Sequence, residues 1–189
     1  MNKTILGISL AAVFVAFMMT ATTAQAVPNG FLTIKTSNTA IADDSLNVNI
    51  KTKSAIPTNG KSGAFGYAVL TDGGSGVLDN VLVLVTHLPI DDSTHEDQRS
   101  GFHTHVLDLM TPSSSCSEHS LEVDLGNSVA NSAFDSDYTF SVHDVKASVS
   151  DVPLSDLGDA ENVVGIVSFT VTPIFDGETL TNLCVDVTG

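Results

Sequence analysis

The sequence predicts an all-β domain arranged as a sandwich or a barrel. Short runs rich in β-branched and aromatic residues recur along the chain, and segments rich in Gly, Pro, Asn and Asp separate them. Many short strands joined by such turns are typical of these folds. No segment after residue 26 shows a helical stripe of apolar residues. The expected strands are Phe31–Lys35, Leu46–Lys51, Ala64–Thr71, Val77–Leu88, Phe102–Leu109, Tyr138–Val149, Val163–Val171 and Leu183–Val187.

The strongest strand is Val77–Leu88, which is dense in Val and Leu and closes at Pro89. A continuous apolar run of this kind suits a strand in the middle of a sheet, because both of its faces are then buried. The Gly-rich segment 71–76 before it predicts a tight turn. In the segment Tyr138–Val149, period-two alternation places His143 on the face opposite Tyr138, so we expect His143 to face solvent.

The first 26 residues have the pattern of a secretory signal peptide. Lys3 precedes an apolar run from Ile5 to Met19, and the small-residue tail Ala24-Gln25-Ala26 follows it. The apolar run is shorter than the roughly 20 residues that a membrane-spanning helix needs. We therefore expect cleavage after Ala26, an extracytoplasmic protein with no later membrane span, and one domain at Val27–Gly189. An uncleaved N-terminal anchor is the alternative.

The chain is strongly acidic, with 22 Asp and Glu residues against seven Lys and Arg and a net charge of −15. All of the acidic residues lie after residue 26, and they are spread along the chain rather than gathered in a tail. Such a charge repels nucleic acids and anionic membranes, so neither is an expected partner.

The two cysteines, Cys116 and Cys184, are expected to pair in an oxidising compartment. The bond would close a loop of about 70 residues and contribute roughly 4 kcal/mol through the entropy of the unfolded chain. It would also tie the last strand to the loop that follows Phe102–Leu109.

Histidines are the candidate functional residues. Four of the six lie between His95 and His119, and His103 and His105 are two positions apart in an expected strand. Residues at i and i+2 of a strand point to the same face. Their imidazoles would therefore project side by side, which suits two ligands of one metal ion.

A third ligand is expected from His119, because it follows Cys116 by three residues and the disulfide would limit its position. His87, at the end of a strand, and His95, in an acidic loop, are the candidates for a fourth ligand. Imidazole ligands suit copper, zinc, nickel and iron, so the residues alone leave the metal open.

The segment Gly101-Phe102-His103-Thr104-His105 resembles the copper-site strand of copper/zinc superoxide dismutases. Cys116, His119, the run Asp124-Leu125-Gly126-Asn127 and Cys184 follow in the family's order. The resemblance covers roughly residues 64–187. It implies an eight-stranded Greek-key β-sandwich or flattened barrel, with copper bound by His103, His105 and His119.

The chain also departs from that family. The zinc loop between Cys116 and Asp124 is nearly absent, the strand Val163–Val171 has no histidine, and Thr181 stands near the place of the family's arginine. These differences predict a shortened, copper-only or degenerate relative without a zinc site. Arg99, the single arginine of the chain, is the candidate for guiding superoxide to the metal; a solvent-exposed loop arginine is the alternative.

Three functions follow from this sequence. The first is an exported copper-binding protein of the superoxide dismutase type that holds copper without turnover. The second is an active copper-only dismutase, which is the enzyme expected if the protein is one. The third is a β-sandwich surface module in which the histidines bind no metal.

Overall fold

The computed structural model describes residues 29–87 and 101–188. Within them the chain forms eleven strands, one short α-helix and two 3-10 helices, Gly30–Leu32 and Leu154–Leu157. The strands are β1 (Ile34–Ala42), β2 (Ser45–Thr52), β3 (Phe65–Thr71), β4 (Val81–Thr86), β5 (His103–Leu107), β6 (Leu109–Met110), β7 (Leu121–Val123), β8 (Thr139–His143), β9 (Lys146–Pro153), β10 (Val163–Asp176) and β11 (Thr179–Val187), and the helix α1 is Leu125–Ala130. The all-β prediction is confirmed.

The strands form two sheets in which every pairing is antiparallel. The four-stranded sheet has the order β1-β2-β9-β8, and the seven-stranded sheet has the order β5-β4-β3-β10-β11-β7-β6. β4 lies between β3 and β5 and all six of its residues are buried, as expected for the Val- and Leu-rich segment. No helix in the described part of the chain is long and apolar enough to cross a membrane.

Several of the expected strands differ in the structure. The segment expected as Phe102–Leu109 is divided at Asp108 into β5 and β6, and β10 continues beyond Val171 to Asp176. Phe31 belongs to a 3-10 helix, and β1 begins only at Ile34. The segment expected as one strand from Tyr138 is the hairpin β8–β9, whose turn contains Asp144 with a positive φ of 53°. Asp accepts this conformation more readily than most residues, so a single Asp was a weak turn signal in an alternating segment.

The first hydrophobic core lies between the two sheets. In β2 the buried residues alternate with polar ones, so that Leu46, Val48 and Ile50 point inward, and Tyr67 and Leu84 of the other sheet face them. This is the alternation expected of a sheet with one face on a core and one in solvent.

The second core lies on the opposite face of the seven-stranded sheet. β5 and β6 stand at the two ends of the strand order, yet Asp108 alone separates them in the chain, so the sheet curls until its ends meet. The curl encloses a cluster whose buried members are Ala68, Val81, Val83, Val85, Leu109, Val123, Phe169 and Val185.

The two cores differ in how well they are filled. A void of about 60 Å³ lies in the second core, whereas the void in the first is about 10 Å³. The seven-stranded sheet therefore wraps a space that its own side chains do not fill.

A disulfide joins Cys116 to Cys184, 68 residues apart, as the sequence predicted. It links the segment before β7 to β11. Next to it, the buried carboxylate of Glu122 accepts hydrogen bonds from the Ser113 backbone N–H and the Asn182 side chain. The disulfide and this carboxylate together fix the segment from β6 to β7 on the sheet.

Candidate metal centre

Three histidines meet where β4 and β5 run side by side. Val85 pairs with His103 and Val83 with His105, and alternate residues of paired strands share a face. His103 and His105 therefore point to the same side of the sheet as Val83 and Val85. His87, two residues beyond Val85, lies on that side too, so both strands direct imidazoles toward the second core.

The ring nitrogens of this group are close to one another. One ring nitrogen from each of His87, His103 and His105 lies within 4.8 Å of the other two. The Nε2 atoms of His87 and His103 are 2.8 Å apart, and the ring of His103 stands nearly perpendicular to both of the other rings. We call His87, His103 and His105 the histidine cluster.

Backbone carbonyls orient two of the rings. His105 Nδ1 lies 2.8 Å from the carbonyl oxygen of Phe134, and His103 Nδ1 lies 3.1 Å from that of Gly101. A carbonyl oxygen only accepts hydrogen bonds, so each Nδ1 carries the proton and each neutral ring has its lone pair on Nε2. This outer-shell arrangement is the one that metal-binding histidines usually have.

The cluster is buried. The exposed fractions of His87, His103 and His105 are 9%, 2% and 4%. The ring of Phe134 lies 5.1 Å from that of His105, centroid to centroid, and Val83 and Val85 adjoin the cluster. Burial in apolar surroundings disfavours charged imidazolium and so favours the neutral rings that bind a metal.

The structure brings together His103 and His105 but groups them with His87 rather than with His119. His119 lies in the segment between β6 and β7, its side chain is 89% exposed, and its Nε2 is 3.5 Å from a carboxylate oxygen of Glu118. The disulfide does restrain this segment, but it holds His119 in solvent.

The remaining candidates have other positions. His143 is exposed at the end of β8, as expected. Asp124, in the run whose resemblance suggested a zinc ligand, is the N-cap of α1 and accepts a hydrogen bond from the Asn127 N–H. His95 and Arg99 lie outside the described residues.

Sequence reasoning named His87 as a fourth ligand and not as part of the central group. The signal that places it was present: His87 continues the period-two alternation of Val83 and Val85 at the end of the expected strand Val77–Leu88. In the structure this strand pairs with the His-x-His strand. The carbonyl groups of Gly101 and Phe134 had no sequence signal, because any residue supplies a carbonyl.

No protein-family model matches this chain, and neither the curated proteins nor the solved structures include a match to it.

The histidine cluster has the chemistry of a metal site. Three neutral imidazoles with converging nitrogens supply three ligands and leave further coordination positions for water or another molecule. The cluster includes neither a thiolate nor a carboxylate within the described part of the chain. A buried three-histidine group that could hold a metal ion is thus the main chemical feature of the fold.

Proposed function

We propose that this chain is an exported copper-binding protein of the superoxide dismutase-like type and that His87, His103 and His105 hold the copper ion. The observation that carries the proposal is the convergence of three buried ring nitrogens within 4.8 Å of one another. The predicted signal peptide and the Gly-Phe-His-x-His segment are the further support from the sequence.

The spacing of the nitrogens suits a metal ion after a small adjustment. Metal–imidazole bonds of about 2.0–2.1 Å put two ligand nitrogens roughly 3.3 Å apart in a tetrahedral site and about 4 Å apart across a square one. The 2.8 Å between Nε2 of His87 and Nε2 of His103 is a hydrogen-bond distance, and because the proton of His103 is on Nδ1, Nε2 of His87 carries the proton of this bond. Metal binding would replace that proton and separate the two rings by some tenths of an ångström.

Copper is favoured over the other metals that imidazole binds. Within the described residues the cluster offers nitrogen ligands alone, a set that suits Cu(II), and Cu(II) has the highest affinity in the divalent series. Zinc is the weaker candidate, since the aspartate that resembles a zinc ligand caps α1 instead. Bound copper would supply a one-electron redox centre, and the chain's residues would hold it, orient its ligands and shield it from solvent.

Export fits the disulfide. Bonds such as Cys116–Cys184 persist in oxidising compartments outside the cytosol. The same compartments are where a protein of this kind would meet free copper ions.

Copper titration of the purified protein tests the proposal. We expect one Cu(II) ion per chain, with an electron paramagnetic resonance spectrum of nitrogen ligands, and we expect zinc to bind more weakly. The double variant His103→Ala/His105→Ala should lose this ion. His119→Ala and His143→Ala are matched controls, because each removes an exposed imidazole and should leave binding unchanged.

Three outcomes separate the functions that the sequence left open. A copper-loaded protein that removes superoxide only at the background rate is a copper-binding protein, whereas faster removal that disappears in Arg99→Ala would make it a dismutase with an anion guide. A protein that takes up no Cu(II) at micromolar concentration is neither, and a surface module would then be the remaining function.

A further inference from the structure

The void in the second core adjoins the histidine cluster. Its walls come from all seven strands of the seven-stranded sheet, from α1 and from Phe134, and they include Ala68, Val83 and Phe169. His87 and His105 stand in the same wall. The void therefore reaches from the centre of the curled sheet to two of the proposed metal ligands.

The void is larger than an ordinary packing gap. One water molecule needs about 10–15 Å³ of such space, and this void has about 60 Å³. The first core, built from the same kinds of residues, leaves about 10 Å³. A void lowers stability in proportion to its volume, so the fold maintains this space at a cost.

The chemistry of the walls excludes water as the occupant. Apart from His87 and His105, all of the lining residues in the described part of the chain are aliphatic or aromatic. A buried water needs two to four polar partners, and apolar cavities without them stay dry and bind apolar molecules or xenon. The Nδ1 atom of His105 already bonds to the Phe134 carbonyl, which leaves still fewer partners for water.

We propose that this void is a binding site for a small apolar molecule of the size of dioxygen, held next to the histidine cluster. Its volume accommodates a diatomic molecule and is well below the roughly 150 Å³ of an engineered cavity that holds benzene. Binding in the void does not require the metal. Delivery of the bound molecule to a metal ion is the part that rests on the proposed function.

Nuclear magnetic resonance of the metal-free protein under dioxygen and xenon pressure tests the site. Dioxygen is paramagnetic, so methyl groups that line the void should relax faster than methyl groups of the first core. We expect enhanced relaxation at Ala68 and Val83 and little at Val48 and Val69, which line the smaller void. Xenon should shift the signals of the same lining methyl groups with a saturable dependence on pressure.

Variants that fill the void provide a second test of the binding site. Ala68→Val and Val83→Ile each add carbon atoms to its wall, and each should reduce xenon affinity at least fivefold. Val69→Ile is the matched control, because it adds one methylene to the opposite face of β3, in the first core, and should leave xenon affinity unchanged. Two separate filling variants keep the test informative if one of them fails to fold.

Several results would overturn the proposal. These are uniform relaxation by dioxygen in both cores, xenon binding that survives both filling variants, and ordered water inside the void of a crystal structure. Failure of the copper proposal is distinguishable, because a protein that binds xenon here and no copper loses only the metal site. A protein that binds copper and no xenon loses only the apolar site.

Discussion

Two backbone carbonyls set the direction of the metal-binding nitrogens. The carbonyl of Gly101 accepts from His103, and the carbonyl of Phe134 accepts from His105. Gly101 has a φ of +103°, in the region that side chains avoid, and a Cβ atom there would meet nothing within 4 Å. The position therefore requires glycine for its backbone angle and not for space.

Gly101→Ala should weaken copper binding by about tenfold, which is at the low end of the 10–100-fold typical of outer-shell losses. The strained backbone would relax and turn its carbonyl away from His103, which would free the ring to rotate. Isothermal titration calorimetry measures the change. Gly177→Ala is the control, since Gly177 also has a positive φ with open space around it but lies in the β10–β11 turn. Equal loss of copper affinity in both variants would show that the effect is general strain.

The carboxylate of Glu122 should make stability depend on pH. Burial opposes its ionisation, but hydrogen bonds from Ser113 and Asn182 outweigh burial and lower its pKa from the ordinary value of 4.5. A lowered pKa stabilises the folded state at pH values above 4.5, and this stabilisation is lost as the pH falls through the folded-state pKa.

Glu122→Gln tests this dependence by denaturant unfolding at several pH values. We expect the variant to be less stable than the parent at pH 7, because an amide NH₂ cannot accept a bond from Ser113 or Asn182. The difference should shrink as the pH falls below 4.5. Glu118→Gln, at an exposed carboxylate in the same segment, should show no such trend. A difference that stayed constant with pH would mean that ionisation of Glu122 contributes nothing.

At the scale of elements, α1 covers the side of the sheet next to β5, and Asp124 is the N-cap residue of this helix. The Asp124 carboxylate accepts from both the backbone N–H and the side chain of Asn127. Ser128 on the helix accepts a hydrogen bond from the backbone N–H of Asp108, between β5 and β6. The helix thus ties the closing point of the curled sheet to the segment that carries Phe134.

Asp124→Ala should destabilise the protein by about 1 kcal/mol, the usual cost of losing an N-cap. For a chain of this length that corresponds to a melting temperature lower by about 2–4 °C. Asp124→Asn should restore most of the loss, because Asn caps helices as well as Asp does. Copper and zinc titrations should be unchanged in both variants, and a loss of zinc binding would instead make Asp124 a metal ligand.

The sequence predicted the strands better than it predicted their pairing. Val77–Leu88 and Phe102–Leu109 were recognisable from composition, and β4 and β5 lie inside them. The short helix α1 had no apolar stripe to reveal it, since Ser128 is the one buried residue among its six. Its N-cap residue, Asp124, is a common helix-capping residue, but the resemblance led to its interpretation as the counterpart of a zinc ligand.

The sequence predicted two of the three members of the histidine cluster, because it predicted strands but not their pairing. His103 and His105 follow from strand periodicity alone, whereas the third member depends on which strand lies beside β5 and in which register. His119 followed His103 and His105 in the order of the family's motif, but tertiary placement put it in solvent. Register is set by the packing of the whole sheet, so period-two patterns by themselves do not fix it.

At the scale of the whole molecule, the disulfide and the histidine cluster serve different parts of the seven-stranded sheet. Cys116–Cys184 holds the β7–β11 side, whereas the cluster lies on β4 and β5 near the opposite end of the strand order. The second core lies between them. Stability and metal affinity should therefore respond separately to loss of the disulfide.

The double variant Cys116→Ser/Cys184→Ser should lose about 4 kcal/mol of unfolding free energy, because the bond closes a long loop of the unfolded chain. Copper affinity of the folded variant should stay within a factor of two of the parent. Chemical denaturation measures the first quantity and calorimetry the second. A large loss of copper affinity in the folded variant would show that the segment containing His119 does contribute to the site.

The positions of the ligands also determine the order in which the molecule can assemble. β3, β4 and β5 are consecutive in the chain and adjacent in the sheet, and the whole ligand set is complete at His105. All three ligands and the Phe134 carbonyl that orients His105 precede Cys184 in the chain, so the site does not take its ligands from the disulfide-bonded segment. Exported protein that has not yet formed the Cys116–Cys184 bond should therefore already hold copper at the histidine cluster.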